Sequence, residues 1–182
     1  MSDPGSDRMP GRFTGGCQCG AVRFAVEGPL GPASICHCRM CQKAFGGFFA
    51  PLVSVREARK VTWTRGERAL YQSSNLVARG FCASCGTPLT YEAPDGMAMA
   101  IGAFDDPGMI TPTLQYGLEA KLPYVDHLAD LSGTRTEQDI AATAFLADIV
   151  SFQHPDHDTA VWPPESVTMQ HPDQLETREN DA

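Results

Sequence analysis

All seven cysteines of this 182-residue chain lie between positions 17 and 85, in three tight groups: Cys17-Gln18-Cys19, Cys36-His37-Cys38-Arg39-Met40-Cys41 and Cys82-Ala83-Ser84-Cys85. Whatever the fold, it must gather these groups into small sulfur-rich clusters. Thiolates surround a zinc ion as a tetrahedron of about 2.3 Å radius, so its ligands arrive in pairs on tight backbone features. In C-x2-C the chain turns around the metal, and Gly86 after Cys85 suits a turn that needs positive φ. In C-x-C on an extended strand, residues two apart share a face, so Cys17 and Cys19 reach one metal. The competing reading is disulfides, and an odd cysteine count without a secretory signal argues against it.

Seven ligands divide as four plus three. Cys36, Cys38 and Cys41 are local enough to form their own site, which leaves Cys17, Cys19, Cys82 and Cys85 to close a structural zinc site. Structural sites are closed, whereas a three-ligand site keeps a position for water or substrate. Two zinc ions per chain are expected, with the chemistry at Cys36, Cys38 and Cys41. Whether a histidine such as His37 or His127 completes the second site stays open, although His37 would point away from its neighbours in an extended segment. Three thiolates blunt the Lewis acidity of zinc, so a zinc-held thiolate nucleophile matches this ligand set better than an activated hydroxide. Arg39 and Lys43, beside the trio, are candidate contacts for an anionic substrate.

The length suits one domain with appendages, and 42% hydrophobic residues can build its core. Residues 1–11 read as a flexible, polar start, and no stretch approaches the roughly 20 apolar residues of a membrane span. The expectation is a soluble, cytoplasmic protein with no membrane partner. The net charge of −8 is uneven: after His154 seven acids face only Arg178, whereas between Arg39 and Arg79 eight bases face only Glu57 and Glu67. That basic segment could draw an anion or a nucleic acid, but scattered surface bases are the commoner cause.

Residues 12–135 read as the zinc-binding domain, mainly β, a compact fold of many short strands. Ala21–Glu27 alternates as a half-buried strand, and further strands are expected at 48–53, 61–64, 69–72, 77–81, 88–92 and 97–101, separated by turn residues such as Arg65-Gly66 and Pro94-Asp95-Gly96. Residues 113–116 and 122–128 are weaker extended segments. From Thr136 to Gln153, Ile140, Ala144, Phe145, Ile149 and Phe152 follow helical spacing, which predicts an appended amphipathic helix capped by Thr134 or Thr136. Its apolar stripe should pack on its own domain; a homodimer contact is the alternative. Residues 154–182 are acidic and aperiodic, a largely mobile tail in which 160–164 could dock through Trp162.

Three ordered motifs resemble the glutathione-dependent formaldehyde-activating enzymes, which share their domain with centromere protein V. They are Gly15-Gly16-Cys17-Gln18-Cys19-Gly20-Ala21-Val22-Arg23, the stretch Cys36 to Lys43 with Gly46-Gly47, and Gly80-Phe81-Cys82-Ala83-Ser84-Cys85-Gly86-Thr87-Pro88-Leu89. The resemblance covers about residues 12–130 and implies a compact β-fold with the same four-plus-three zinc division. The activity it implies is the condensation of glutathione with formaldehyde to S-hydroxymethylglutathione, formally a carbon-sulfur lyase reaction. Where many relatives carry a His-x-Trp segment before a Lys/Arg-x-Pro-Trp, this chain has Gln115-Tyr116-Gly117 and Lys121-Leu122-Pro123-Tyr124, differences that bear on the substrate pocket. Two functions follow as expectations. One is a zinc enzyme that holds a glutathione-like thiol against an aldehyde; the other is a non-catalytic zinc module that binds a protein, a nucleic acid or glutathione. Few aromatics accompany the bases, which disfavours nucleic acid.

Overall fold

The computed structural model describes residues 11–56, 58 and 60–163. In chain order its strands are β1 (Arg12–Gly16), β2 (Arg23–Glu27), β3 (Ala33–Cys36), β4 (Ala50–Ser54), β5 (Lys60–Arg65), β6 (Ala69–Gln72), β7 (Ala78–Phe81), β8 (Pro88–Ala93), β9 (Gly96–Ala100) and β10 (Leu114–Tyr116). Two short helices accompany them, α1 (Arg39–Phe45) and α2 (Thr136–Ala142). The mainly β reading therefore holds. A small antiparallel sheet runs β1-β2-β5, and a larger one runs β10-β3-β4-β9-β8-β7-β6, antiparallel except where β10 lies parallel to β3.

Both sheets feed one core. Phe24 and Val26 of β2 meet Val53 of β4, Leu89 of β8 and Met99 of β9 in one buried cluster. Phe24 is fully buried, edge-on to Phe104 at 5.1 Å and to Trp63 at 6.0 Å. A Cβ at Gly15 would stand 2.4 Å from the Phe24 ring, so glycine there lets the ring seat. Truncating Phe24 to alanine should cost about 3–5 kcal/mol. β2 is not half-buried as its alternation suggested: Arg23 to Val26 are all buried, as befits the middle strand of its sheet.

Three further expectations change. Residues 122–128 are not extended; Pro123–Asp130 winds as 3-10 turns, with Pro123 starting the first. The helix predicted over Thr136–Gln153 ends at Ala142, because Thr143 takes an extended conformation (φ −136°, ψ 96°), and a 3-10 turn follows at Ala144–Asp148. Arg135, not either threonine, is its N-cap, and the Arg135 N–H donates to the Gln138 side chain at 2.9 Å. The stripe does not pack on the domain: Phe145 and Ile149 are more than 60% exposed.

The third change concerns the tail. Trp162 docks, as the sequence suggested, but the contact is longer than expected: residues 154–163 form a strap across the small sheet. The His154 N–H donates to the Gln18 carbonyl at 2.7 Å, and Trp162 Nε1 donates to the Cys19 carbonyl at 2.8 Å. Between them Asp158 accepts from the buried Arg23 at 2.8 Å, and Thr159 accepts from Arg65. Composition hid this because the acids count as solvated charge, whereas Arg23 needs partners beyond Asp105. Of the start expected to be flexible, 1–11, residues 1–10 lie outside the described residues, as does the rest of the tail, 164–182.

Candidate functional site

The Cys17-Gln18-Cys19 pair sits in a turn after β1, not on an extended strand. The Gly20 N–H closes it on the Cys17 carbonyl at 3.0 Å, with Gly20 at φ +73°. The second pair turns after β7 in the same way: the Gly86 N–H donates to the Cys82 carbonyl at 2.9 Å, and Gly86 has φ +77°. The two turns are tied together where the Gln18 N–H donates to Thr87 Oγ1 at 3.0 Å. All four sulfurs lie within 4.8 Å of one another. Cys17 Sγ is 3.6 Å from Cys19 Sγ, which is 3.8 Å from Cys82 Sγ. A tetrahedron of thiolates about 2.3 Å from a metal has edges of about 3.8 Å, so the donor set fits one. None of the seven cysteines is in a disulfide.

The ionisation of this cluster is divided. Burial pushes the Cys17 thiol well up, and its sulfur neighbours reinforce the rise over the opposing N–H of Val22. Burial also works against Cys85, yet hydrogen bonds from Thr87 outweigh it and bring that thiol to about 6. Sulfurs this close and this dry cannot all ionise unless a cation joins them.

The trio is built from one continuous stretch. Cys36 ends β3, Cys38 is the N-cap of α1, accepting the Cys41 N–H at 3.4 Å, and Cys41 lies in the first turn of that helix. Their sulfurs also lie within 4.8 Å of one another. Gln42 fixes the loop from behind, donating to the His37 carbonyl at 2.7 Å and the Ala120 carbonyl at 2.9 Å. The chain after β10 closes in front: Gly117 (φ +68°) comes so near that a Cβ there would lie 2.8 Å from the Cys38 nitrogen. Burial pushes Cys36 up to about 12. Cys38 is lowered in spite of burial, chiefly by the Cys41 N–H.

Neither histidine joins the trio. His37 is buried, bonded through Nε2 to Gln115 at 2.9 Å and edge-on to Phe49, and exposed His127 pairs with Asp130. Arg39 donates to Gln42 at 2.5 Å, and neither Arg39 nor Lys43 lines the cavity into which the trio opens. That cavity, of about 490 Å³, is instead served by Arg79 and Arg56.

Arg79 on β7 is 7% exposed. It donates through Nη2 to Cys41 Sγ at 3.4 Å and through Nε to Ser73 Oγ at 3.2 Å, and it lies 5.2 Å from the Tyr91 ring centre. Its Nη1 is buried without a partner. Two residues either side of it, Val77 and Phe81 are apolar, so its phase in the strand was the one signal that it points inward.

A family model described as glutathione-dependent formaldehyde-activating enzyme matches residues 12–118. Among solved structures, the chain is similar to that of a Rhodobacter sphaeroides protein, a structural-genomics target, at 22% identity over 56% of this chain and 98% of that one, with a TM-score of 0.43. The matched region takes in both cysteine clusters and more than half of the chain, which therefore belongs to the glutathione-dependent formaldehyde-activating enzyme family.

Proposed function

We propose that this protein is a zinc-dependent carbon-sulfur lyase-type enzyme that brings a small, glutathione-like thiol together reversibly with formaldehyde or a related aldehyde. Cys17, Cys19, Cys82 and Cys85 would hold a structural zinc, and Cys36, Cys38 and Cys41 a second. Bound there, the second ion supplies the charge that keeps an incoming thiol deprotonated and nucleophilic near neutral pH. The observation that carries the reading is that the trio offers three sulfurs, with no histidine among the described residues to complete it, on the wall of a cavity of about 490 Å³.

The chain's own residues do the rest. Arg79 sets a positive charge against the sulfur cluster, where Cys41 accepts its hydrogen bond. Leu52, Tyr91 and Ala98 pack with the trio's cysteines and limit water beside the reacting sulfur. Gln42 and the Gly117 contact hold the trio's loop still. Seven unpaired thiols suit a reducing compartment, so the proposal places the protein in the cytoplasm. Among the described residues no helix is long and apolar enough to cross a membrane.

The binding-module alternative gains little from the basic segment. Arg68 pairs with Glu92 and lies over Trp63, Arg65 is engaged by the strap, and Arg79 is buried. X-ray absorption on the metal-loaded chain tests the reading, titrating glutathione and its S-methyl analogue. Glutathione should add one sulfur to the trio's metal and the analogue none. An unchanged sulfur count with glutathione, or equal binding of the analogue, refutes it.

A further inference from the structure

The large sheet ends on β6, and that edge carries none of the devices that usually keep sheet edges apart. From Ala69 to Val77 the chain has no charged residue and no proline, and β6 pairs with β7 without a register shift. Leu70, Tyr71 and Leu76 are all more than half exposed. The opposite edge is blunted: β10 has three residues, lies parallel to β3 and gives way at Gly117 (φ +68°) to a 3-10 turn.

The phase of the ladder decides which main-chain groups this edge offers. Where β6 turns towards β7, the Ser73 N–H donates to the Val77 carbonyl at 2.9 Å. Hydrogen-bonded pairs recur at every second residue of an antiparallel ladder, so Tyr71 and Ala69 direct their main-chain groups to Arg79 and Phe81 of β7. The N–H and C=O of Leu70 and Gln72 therefore point outward, where no strand among the described residues meets them. Tyr71 stands directly opposite Arg79, which lines the cavity, so Tyr71 lies on the cavity's face of the sheet and Leu70 on the other.

We propose that β6 pairs antiparallel with β6 of a second copy of this chain, about a two-fold axis through Tyr71. In that register Leu70 of each copy faces Gln72 of the other, and each such pair exchanges both of its N–H···O=C bonds. The two Tyr71 side chains meet as the close, non-hydrogen-bonded pair, in line with Arg79 of each copy. A second copy is the occupant because the edge is its own complement: outward groups two residues apart satisfy one another under a two-fold axis, and an uncharged stretch sets no like charges together. Pairing of β6 with the β10 edge of another copy would run on as an open fibre, and the short β10 offers little to hold it. Strands of four residues bury an area at the low end of specific interfaces, so the dimer forms only as concentration rises.

Sedimentation velocity of the zinc-loaded full chain over a wide range of concentration tests this, with photochemical dityrosine cross-linking to report the register. Wild type should pass from monomer to dimer as concentration rises, and the cross-link should join Tyr71 to Tyr71. Leu70→Pro removes an outward N–H and no bond to β7, and should raise the dissociation constant about 30-fold, because the symmetry deletes two hydrogen bonds at once. Leu70→Lys keeps the N–H but sets like charges near the axis, and should weaken the dimer as well. Tyr71→Phe should lose the cross-link and keep the dimer. Melting curves at low concentration should match wild type in all three, since the altered side chains are exposed. A wild type that stays monomeric throughout, a cross-link through another tyrosine, or a dimer of unchanged affinity in both Leu70 variants overturns the proposal. A dimer that survives those variants and dissociates in Phe145→Ser belongs to the α2 segment instead.

Discussion

Replacing Arg79 with methionine isolates the charge that the fold places against the trio. Zinc and three thiolates carry one net negative charge, and a fourth thiolate makes it two. The guanidinium that donates to Cys41 is buried, so bulk water screens it poorly. At about 5 Å and an effective dielectric near 20, its attraction for an added unit charge is about 3 kcal/mol. Glutathione should therefore bind Arg79→Met about 100-fold more weakly at pH 7. Its ionisation on the protein should move up by about two pH units. Arg79→Lys keeps the charge but not the fork, and should fall between. Folding should also lose the hydrogen bonds to Ser73 and Cys41, about 1 kcal/mol each, so melting curves are compared alongside binding. The assay is calorimetry of the two-zinc protein, with native mass spectrometry to count metals. An Arg79→Met variant that keeps both metals and binds glutathione within threefold of wild type would refute the electrostatic argument.

Cys82→Ser should unfold the domain or make it insoluble, whereas Cys38→Ser should stay folded with one zinc; identical melting and metal content would refute the division of labour. A chain ending at Gln153 loses the bonds of His154, Asp158 and Trp162 and should melt several degrees below one ending at Pro163, in line with a loss of about 2–3 kcal/mol. Asp105, although burial opposes it, is held below the usual carboxylate range by Arg23 and Thr14. Its stabilisation should thus be complete above about pH 4 and lost as pH falls through the lower folded value. Asp105→Asn should cost about 3 kcal/mol near neutral pH in a denaturant titration, and the gap to wild type should narrow only below pH 4.

Most strands were legible because they announce themselves locally, through alternation and bounding turn residues, and β6 begins and ends where the sequence places it, whereas β1 and β3 were not expected as strands. The cysteine grouping was legible for the same reason. What escaped depends on partners far away in sequence. Arg79 looked like one base among eight until its pairing with Tyr91 placed it beneath the groove. Arg56 and Asp95 lie 39 residues apart and meet only through the β4–β9–β8 neighbourhood. The helix was overextended because the spacing of Ile140, Phe145 and Ile149 records periodicity and not a surface to receive it. Arg39 and Lys43 are near the trio in sequence, but the cavity opens on its other side.

The two clusters differ in what closing them does to the chain. Cys19 and Cys82 are 63 residues apart, and their turns follow strands of different sheets, so a metal there joins the small sheet to the large one. Cys36 to Cys41 span a single six-residue stretch and close almost no loop. Loop-closure entropy alone makes the first join harder by about 2 kcal/mol, and its metal affinity is correspondingly invested in folding. The trio's loop is held by β3, the N-cap of α1, Gln42 and Gly117. None of those holding contacts would depend on a fourth ligand to a metal held by the trio. On the proposed function, exchange of a substrate sulfur at the trio would therefore not loosen the sheets, because the bonds it broke would not be those that join them.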